Sequence, residues 1–245
     1  MEVKPIPGLE HLPFAEVWLR EPSEALWREA STAARAIGKD GLEVWTTDET
    51  PDVIPFFEER GYEVVRRYRI TELDVTAAPA PNAPAFPLTT FAARPDLANE
   101  LYEIACEAYP DQPGRNEQRM PPFDNWRSWG LDPHPVDAYF IALDGERVLG
   151  YGYLEVDGDD AKHGFMALRR EARGRGLAGT IKRAQIGWAK ANGIKTLRTA
   201  TELRLASMLS LNERLGYRIL YTEIVLRGPG ASRVPPAGFE PALPA

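Results

Sequence analysis

The sequence predicts a mixed α/β (α+β) fold with a central, mostly antiparallel sheet flanked by helices. Three observations predict it. Proline is abundant, at 22 of 245 residues, yet none occurs over residues 136–228. Proline breaks helix interiors and cannot donate to a ladder, so continuous elements are expected in that stretch. Inside it, the runs VDAYFIALDG, RVLGYGYLEV and KHGFMAL are strand-like and are joined by the turn signals DG at 144–145 and DGDD at 157–160, an antiparallel meander. Two helix–strand units follow, their helices stopped by Gly193 and Gly216.

Taken in order, residues 22–38 read as a helix closed by Gly38 and 42–47 as a strand. Residues 51–61 read as a short helix closed by Gly61, and 62–75 as a strand. The Pro/Ala-rich stretch 76–85 reads as an extended linker. Residues 86–92 form a strand, and 96–109 a helix with Leu97, Leu101, Ile104 and Ala108 on one face. Residues 110–135 are loop-rich with one short helix. After the meander come a helix over 176–192, a strand over 195–201, a helix over 203–215 and a strand over 217–226. The tail, 229–245, lacks hydrophobic periodicity and is expected to be disordered. The domain expectation is a partial repeat over 1–75, the linker over 76–85, a main domain over 86–228 and the tail.

The first 75 residues echo the end of the chain. An offset of 155 aligns Gly38 with Gly193, Gly61 with Gly216 and Tyr62 with Tyr217, and FFEERGY resembles LNERLGY. Agreement of spacing and local sequence favours a decayed duplication over two unrelated helix–strand units.

Composition excludes several classes. A net charge of −7 argues against a general nucleic-acid binder, which carries a basic face. No apolar run approaches the roughly 18 residues a membrane span needs. The N-terminus has no basic region followed by an apolar one, so no secretory signal is read. The single cysteine, Cys106, fits a reducing, cytoplasmic setting and reads as a small buried hydrophobe. His11 and His134 have no partners at metal-ligand spacing, so no metal site is expected. No GxSxG elbow is present, which argues against a serine hydrolase.

The chemistry concentrates in LRREARGRGLAGTIKRA (168–184), where a strand ends, a basic turn follows and a long helix begins. The first N–H groups of a helix lack intrahelical acceptors and carry positive potential. Gly174 and Gly176 let a bulky anion approach the backbone, and Ala178 keeps the same turn small. The result is a cradle for a pyrophosphate. Arg169, Arg170, Arg173, Arg175, Lys182 and Arg183 add a local cation excess in an acidic chain. The pattern is neither a P-loop nor a dinucleotide fingerprint, because the preceding strands form a meander rather than a βαβ unit.

This segment resembles motif A of the GNAT superfamily of acyl-CoA-dependent N-acetyltransferases. Arg173, Gly176 and Ala178 fill its three defining positions, and MLSLNERLGY (208–217) resembles the family's second motif. The resemblance covers roughly residues 86–228 and implies a GNAT fold, with the N-terminal residues as a degenerate partial copy similar to tandem proteins of the mycothiol synthase type. It implies acetyl-CoA as cosubstrate, no metal, and transfer of the acetyl group to the amine of a small molecule by direct attack in a ternary complex. The implied cofactor contacts are Ala167, Leu168, Arg173, Gly174, Arg175, Gly176, Leu177, Ala178, Gly179 and Asn212. Nucleic acid and membrane are not expected partners, and the chain is expected as a monomer or homodimer. At the 155 offset the first half places Trp18, Glu21 and Ser23 opposite Arg173, Gly176 and Ala178, so one cofactor site is expected.

The chain also departs from the family pattern. Asn212 stands near where many members carry a tyrosine acid, and Leu205 where many carry an asparagine. His163 reads as a satisfied or partly exposed histidine, and Glu155 and Asp157 as solvated strand-end charges, so no catalytic base is assigned. A non-catalytic acyl-CoA sensor or assembly module is therefore the alternative reading. A protein acetylator or partner-binding scaffold is a third reading, resting only on the extra N-terminal half. The acceptor is expected over loop 110–135, where Phe123, Trp126 and Trp129 suit either ligand contact or core packing.

Overall fold

The computed structural model describes residues 1–6, 10–79, 84–112 and 119–231. Its strands are β1 (Val3–Pro5), β2 (Phe14–Trp18), β3 (Gly41–Thr47), β4 (Glu63–Asp74), β5 (Leu88–Thr90), β6 (Phe140–Asp144), β7 (Arg147–Asp157), β8 (Asp160–Leu168), β9 (Thr196–Glu202) and β10 (Arg218–Pro229). Its helices are α1 (Glu24–Ala36), α2 (Val53–Glu58), α3 (Ala98–Ala108), α4 (Phe123–Gly130), α5 (Leu177–Ala191) and α6 (Ala206–Arg214). The mixed α/β class with a mostly antiparallel sheet is as the sequence predicts. The chain divides into two compact units, Met1–Tyr68 with Tyr221–Ala245, and Arg69–Leu220.

In the first unit the strand order is β1-β2-β3-β10-β4. β2 runs parallel to β3, and β10 antiparallel to it. Ala15 and Val17 of β2 alternate inward and join Leu42, Val44, Phe57, Ile224 and Leu226 in one apolar core beneath α1 and α2. Glu43 is fully buried in β3, where Arg66 (2.7 Å) and Arg227 (2.7 Å) hold its carboxylate. Of the tail, residues 232–245 lie outside the described residues. Residues 229–231 are fastened: Tyr62 donates to the Pro229 carbonyl (2.8 Å), and Ala231 N–H to Ser31 Oγ (2.8 Å).

In the second unit the order is β4-β9-β8-β7-β6-β5. β5 to β8 form the antiparallel meander, and β9 is parallel to β8. α3 and α4 cover one face through Leu101, Ile104 and Trp126, over the stacked rings of Tyr139, Tyr151 and Tyr153. α5 covers the other face through Leu177, Ile181 and Ile186. Of the expected 76–85 linker, residues 80–83 lie outside the described residues. Asp74 Oδ1 caps the turn after β4, accepting from Thr76 N–H (2.9 Å), and Ala78 is buried.

The 155-residue offset holds at the level of elements. It carries β3 onto β9 and β4 onto β10 end for end, and the last residue of α1 onto that of α5. Gly38, Gly61, Gly193 and Gly216 all have positive φ, between 75° and 89°, as helix-stopping glycines do.

Candidate acyl-CoA site

β8 and β9 pair only at Asp160↔Thr196, Ala161↔Leu197 and Lys162↔Arg198. Both strands then run on, to Leu168 and Glu202, without further pairing to one another. A gap flanked by strand backbone therefore opens beyond Lys162. The register between β8 and β7 also shifts here: Leu154 pairs with His163 but Gly152 with Met166, so β8 carries a bulge at Gly164 and Phe165. A Cβ on Gly164 would lie 2.1 Å from the Tyr153 ring, so only glycine fits.

At the C-terminal end of β8 the chain makes a short 3-10 turn, Arg170–Ala172, and passes through Gly174 (φ 75°) and Gly176 (φ 88°) into α5. Gly176 is the N-cap, and no side chain caps this helix. The N–H groups of Leu177, Ala178 and Gly179 have no acceptor among the described residues, and no acidic residue occupies the first turn. α1 of the first unit begins differently. Ser23 accepts from Leu26 N–H (3.3 Å), and Glu24 stands in the first turn, so side chains already hold the place of an anion.

The basic residues around the cradle divide. Arg169 turns inward to Glu100 (3.2 Å) and the Val148 carbonyl (2.8 Å). Arg173 bonds Asp111 (2.8 Å) and, at 3.3 Å, the Leu168 carbonyl; its hydrogen bond holds the Asp111 carboxyl below the usual range. Arg170 also approaches Asp111, at 3.6 Å. Arg175 and Arg183 have no carboxylate partner among the described residues. Lys182 does not belong to the cradle. It is 3% exposed, with Nζ lacking a hydrogen-bond partner among the described residues and 5.4 Å from the Tyr217 ring. Burial pushes its pKa down to about 7.

The expected strand contacts separate in the same way. The Ala167 carbonyl lies beside Gly150, 2.6 Å from where a Cβ on that glycine would sit, so it faces β7 rather than the gap. Leu168 turns its carbonyl the other way, to Arg173. Asn212 is buried; its Nδ2 donates to Thr201 Oγ1 (3.1 Å), while Oδ1 has no partner among the described residues.

Sequence reasoning missed a polar cluster beside the gap. His163 Nδ1–H donates to Gln185 Oε1 (2.8 Å), and Nε2 accepts from the Tyr217 hydroxyl (2.5 Å). Burial, then the nearby Lys182 charge, hold the His163 pKa well below the usual histidine value. With both ring nitrogens engaged, His163 is a satisfied histidine and not a free base. The missed signal was periodicity, because Lys182 and Gln185 share the buried stripe of Ile181, Ile186 and Ala189.

In loop 110–135, residues 113–118 lie outside the described residues. Trp126 is fully buried in the core and Phe123 packs against it, whereas Trp129 is exposed. His134 stacks on Tyr153 at 4.2 Å, and Cys106 is partly buried against the same core. Among the described residues no group of three or more His, Cys, Asp or Glu side chains could hold a metal ion, and no helix is long and apolar enough to cross a membrane.

Residues 98–217 match the model of the acetyltransferase (GNAT) family. No curated protein matches the sequence. Among solved structures, a GCN5-related N-acetyltransferase from Sphaerobacter thermophilus is 18% identical, with TM-score 0.71 over 93% of this chain and 75% of that one. A tandem GNAT protein from the clavulanic acid biosynthesis pathway is 17% identical, with TM-score 0.62 over 90% and 76%. A GCN5-related N-acetyltransferase from Kribbella flavida is 17% identical, with TM-score 0.61 over 89% and 82%. At these identities the likeness is one of fold, and the sequence match adds the family. Residues 98–217 are therefore a domain of the acetyltransferase (GNAT) family.

Proposed function

We propose that the chain transfers an acetyl group from acetyl-CoA to the amine of a small molecule, by direct attack in a ternary complex. One observation carries this reading. The gap between β8 and β9 opens toward the same end of β8 at which α5 begins, with unsatisfied N–H groups and without a side-chain cap. The cosubstrate's diphosphate suits the N–H groups of Leu177, Ala178 and Gly179, with Gly174 and Gly176 leaving the approach free of Cβ atoms. Arg175, its guanidinium 5.6 Å from the Phe86 ring centroid, and Arg183 lie nearby with no ion pair among the described residues. The pantetheine arm suits the unpaired strand edges beyond Lys162, where backbone amides are preorganised to hydrogen-bond it and to stabilise negative charge developing on the thioester oxygen. Holding both reactants in line supplies much of the acceleration.

Asn212 offers an amide rather than an acid, so protonation of the leaving thiolate falls to solvent. Residues 1–75, with their self-capped α1, contribute no second cofactor site in this reading and are a decayed partial copy of the end of the 86–228 domain.

The test is thiol release from acetyl-CoA in the presence of amino acids, polyamines, aminoglycosides and cysteinyl thiol precursors. Acceptor-dependent release is expected. Tight acetyl-CoA binding with no release above background across the panel would replace this reading with a non-catalytic acyl-CoA-binding module.

A further inference from the structure

The second unit contains a cavity of about 520 Å³ between α6, β4 and the start of β10, whose lining shares only Asn212 with the acyl-CoA reading. Its volume lies within the range of small-molecule sites. Three of its lining residues each carry a buried polar atom with no partner among the described residues: Arg69 Nε, Thr71 Oγ1 and Asn212 Oδ1. Thr71 and Asn212 are 4% and 2% exposed, so water does not satisfy them in bulk. Leaving such groups unpaired costs stability, and buried polar atoms of this kind ordinarily have partners.

The charges make the cavity more specific. Arg69 forms no ion pair among the described residues, nor does Glu213, which lines the same space. The other guanidinium on the rim, Arg218, already reaches Glu72 at 3.4 Å. A free cation and a free anion thus face one cavity without meeting each other. Leu209 and Ile219 supply an apolar wall.

We infer that this cavity binds a small zwitterion, an α-amino acid with an apolar side chain. Arg69 Nε and the Thr71 hydroxyl donate to its carboxylate. Its ammonium group donates to Asn212 Oδ1 and faces Glu213, and its side chain lies against Leu209 and Ile219. A carboxylate held by a guanidinium and a hydroxyl, with the opposite charge complemented across a short cavity, suits a zwitterion better than a simple anion or a simple amine. Such a ligand carries an amine, the group the acyl-transfer reading requires, but the binding claim stands on the cavity alone.

Calorimetry on the full chain, saturated with CoA, tests it with L-alanine, L-leucine and L-phenylalanine as probes. Saturable binding is expected for at least L-leucine. L-Leucinamide, which lacks the carboxylate, and 4-methylpentanoate, which lacks the amine, should each bind at least about ten-fold more weakly. Arg69→Met should weaken L-leucine by at least about ten-fold and leave L-leucinamide unchanged. Glu213→Gln should weaken L-leucine and spare 4-methylpentanoate. Thr71→Val, close to isosteric, serves as a second carboxylate-side variant should Arg69→Met fold poorly by circular dichroism. Absence of binding by all three amino acids to protein that binds CoA overturns the inference while leaving the acyl-CoA reading intact. So does L-leucine affinity unmoved by both Arg69→Met, or its Thr71→Val substitute, and Glu213→Gln.

Discussion

The Tyr217 hydroxyl donates to His163 Nε2 across 2.5 Å, joining the residue just past the last β8–β9 pair to the residue that leads into β10. The second ring nitrogen is bound to Gln185, so strand, helix and strand start are tied through one imidazole of fixed tautomer. Tyr217→Phe leaves Nε2 without a donor. A loss of about 1–3 kcal/mol is expected in urea unfolding at pH 7.5. The His163 pKa is depressed, so the unfolded chain takes up a proton, as pH falls through the usual histidine value, that the folded chain refuses. Stability therefore drops as pH falls below about 6.5. His163→Asn should flatten that part of the profile, and an unchanged slope would remove His163 from the account.

Lys182 has the same sign. Folded, it releases its proton near pH 7; unfolded, at the ordinary lysine value of 10.5. Between these values the unfolded chain binds the extra proton, so stability rises with pH across that window. The charge costs most below pH 7. Lys182→Met should stabilise the protein at pH 6, with a ceiling of about 5 kcal/mol from roughly 1.36 kcal/mol per pKa unit, and the gain should vanish near pH 10.5. Denaturant unfolding at both pH values, with the Lys182 Cε shift followed by NMR, checks the direction.

The cradle is best probed at Ala178. A glutamate at Gly176 would meet φ 88°, which strains any side-chain-bearing residue, so lost binding there would mix strain with charge. Ala178 lies in the first turn of α5, where a carboxylate favours the helix itself. Ala178→Glu should abolish acetyl-CoA binding in calorimetry while leaving the melting temperature unchanged or slightly raised. Binding of wild-type strength would move the diphosphate elsewhere.

In the first unit, Glu43 holds two arginines from a position with no solvent contact. Glu43→Ala leaves the partly buried Arg66 and Arg227 without their shared anion. A loss of about 3–5 kcal/mol is expected, since breaking a buried pair strands its partner. Equilibrium unfolding measures it, and a change below 1 kcal/mol would show that solvent compensates.

Much of the architecture was legible because it is local. The meander is written in alternation and turn dipeptides, and α1, α2, α5 and α6 are punctuated by glycines at 38, 61, 193 and 216. β1 and β2 were not read. FAEVW spans only five residues, and its inward pair, Ala15 and Val17, becomes a core face only against β3. Loop 110–135 could be read either as packing or as ligand contact, and burial settled Trp126 as core.

The glycine turn at 174–176 and its uncapped helix start belong to the sequence alone, because φ, capping and helix polarity depend on residues within one turn of each other. Long-range packing decided the rest: Arg169 was withdrawn to Glu100, Lys182 was buried beside Tyr217, and the Ala167 carbonyl was turned toward Gly150 of β7. Which way a side chain or carbonyl points, and whether a charge keeps its water, depends on neighbours far away in the chain, and only folding brings those neighbours together.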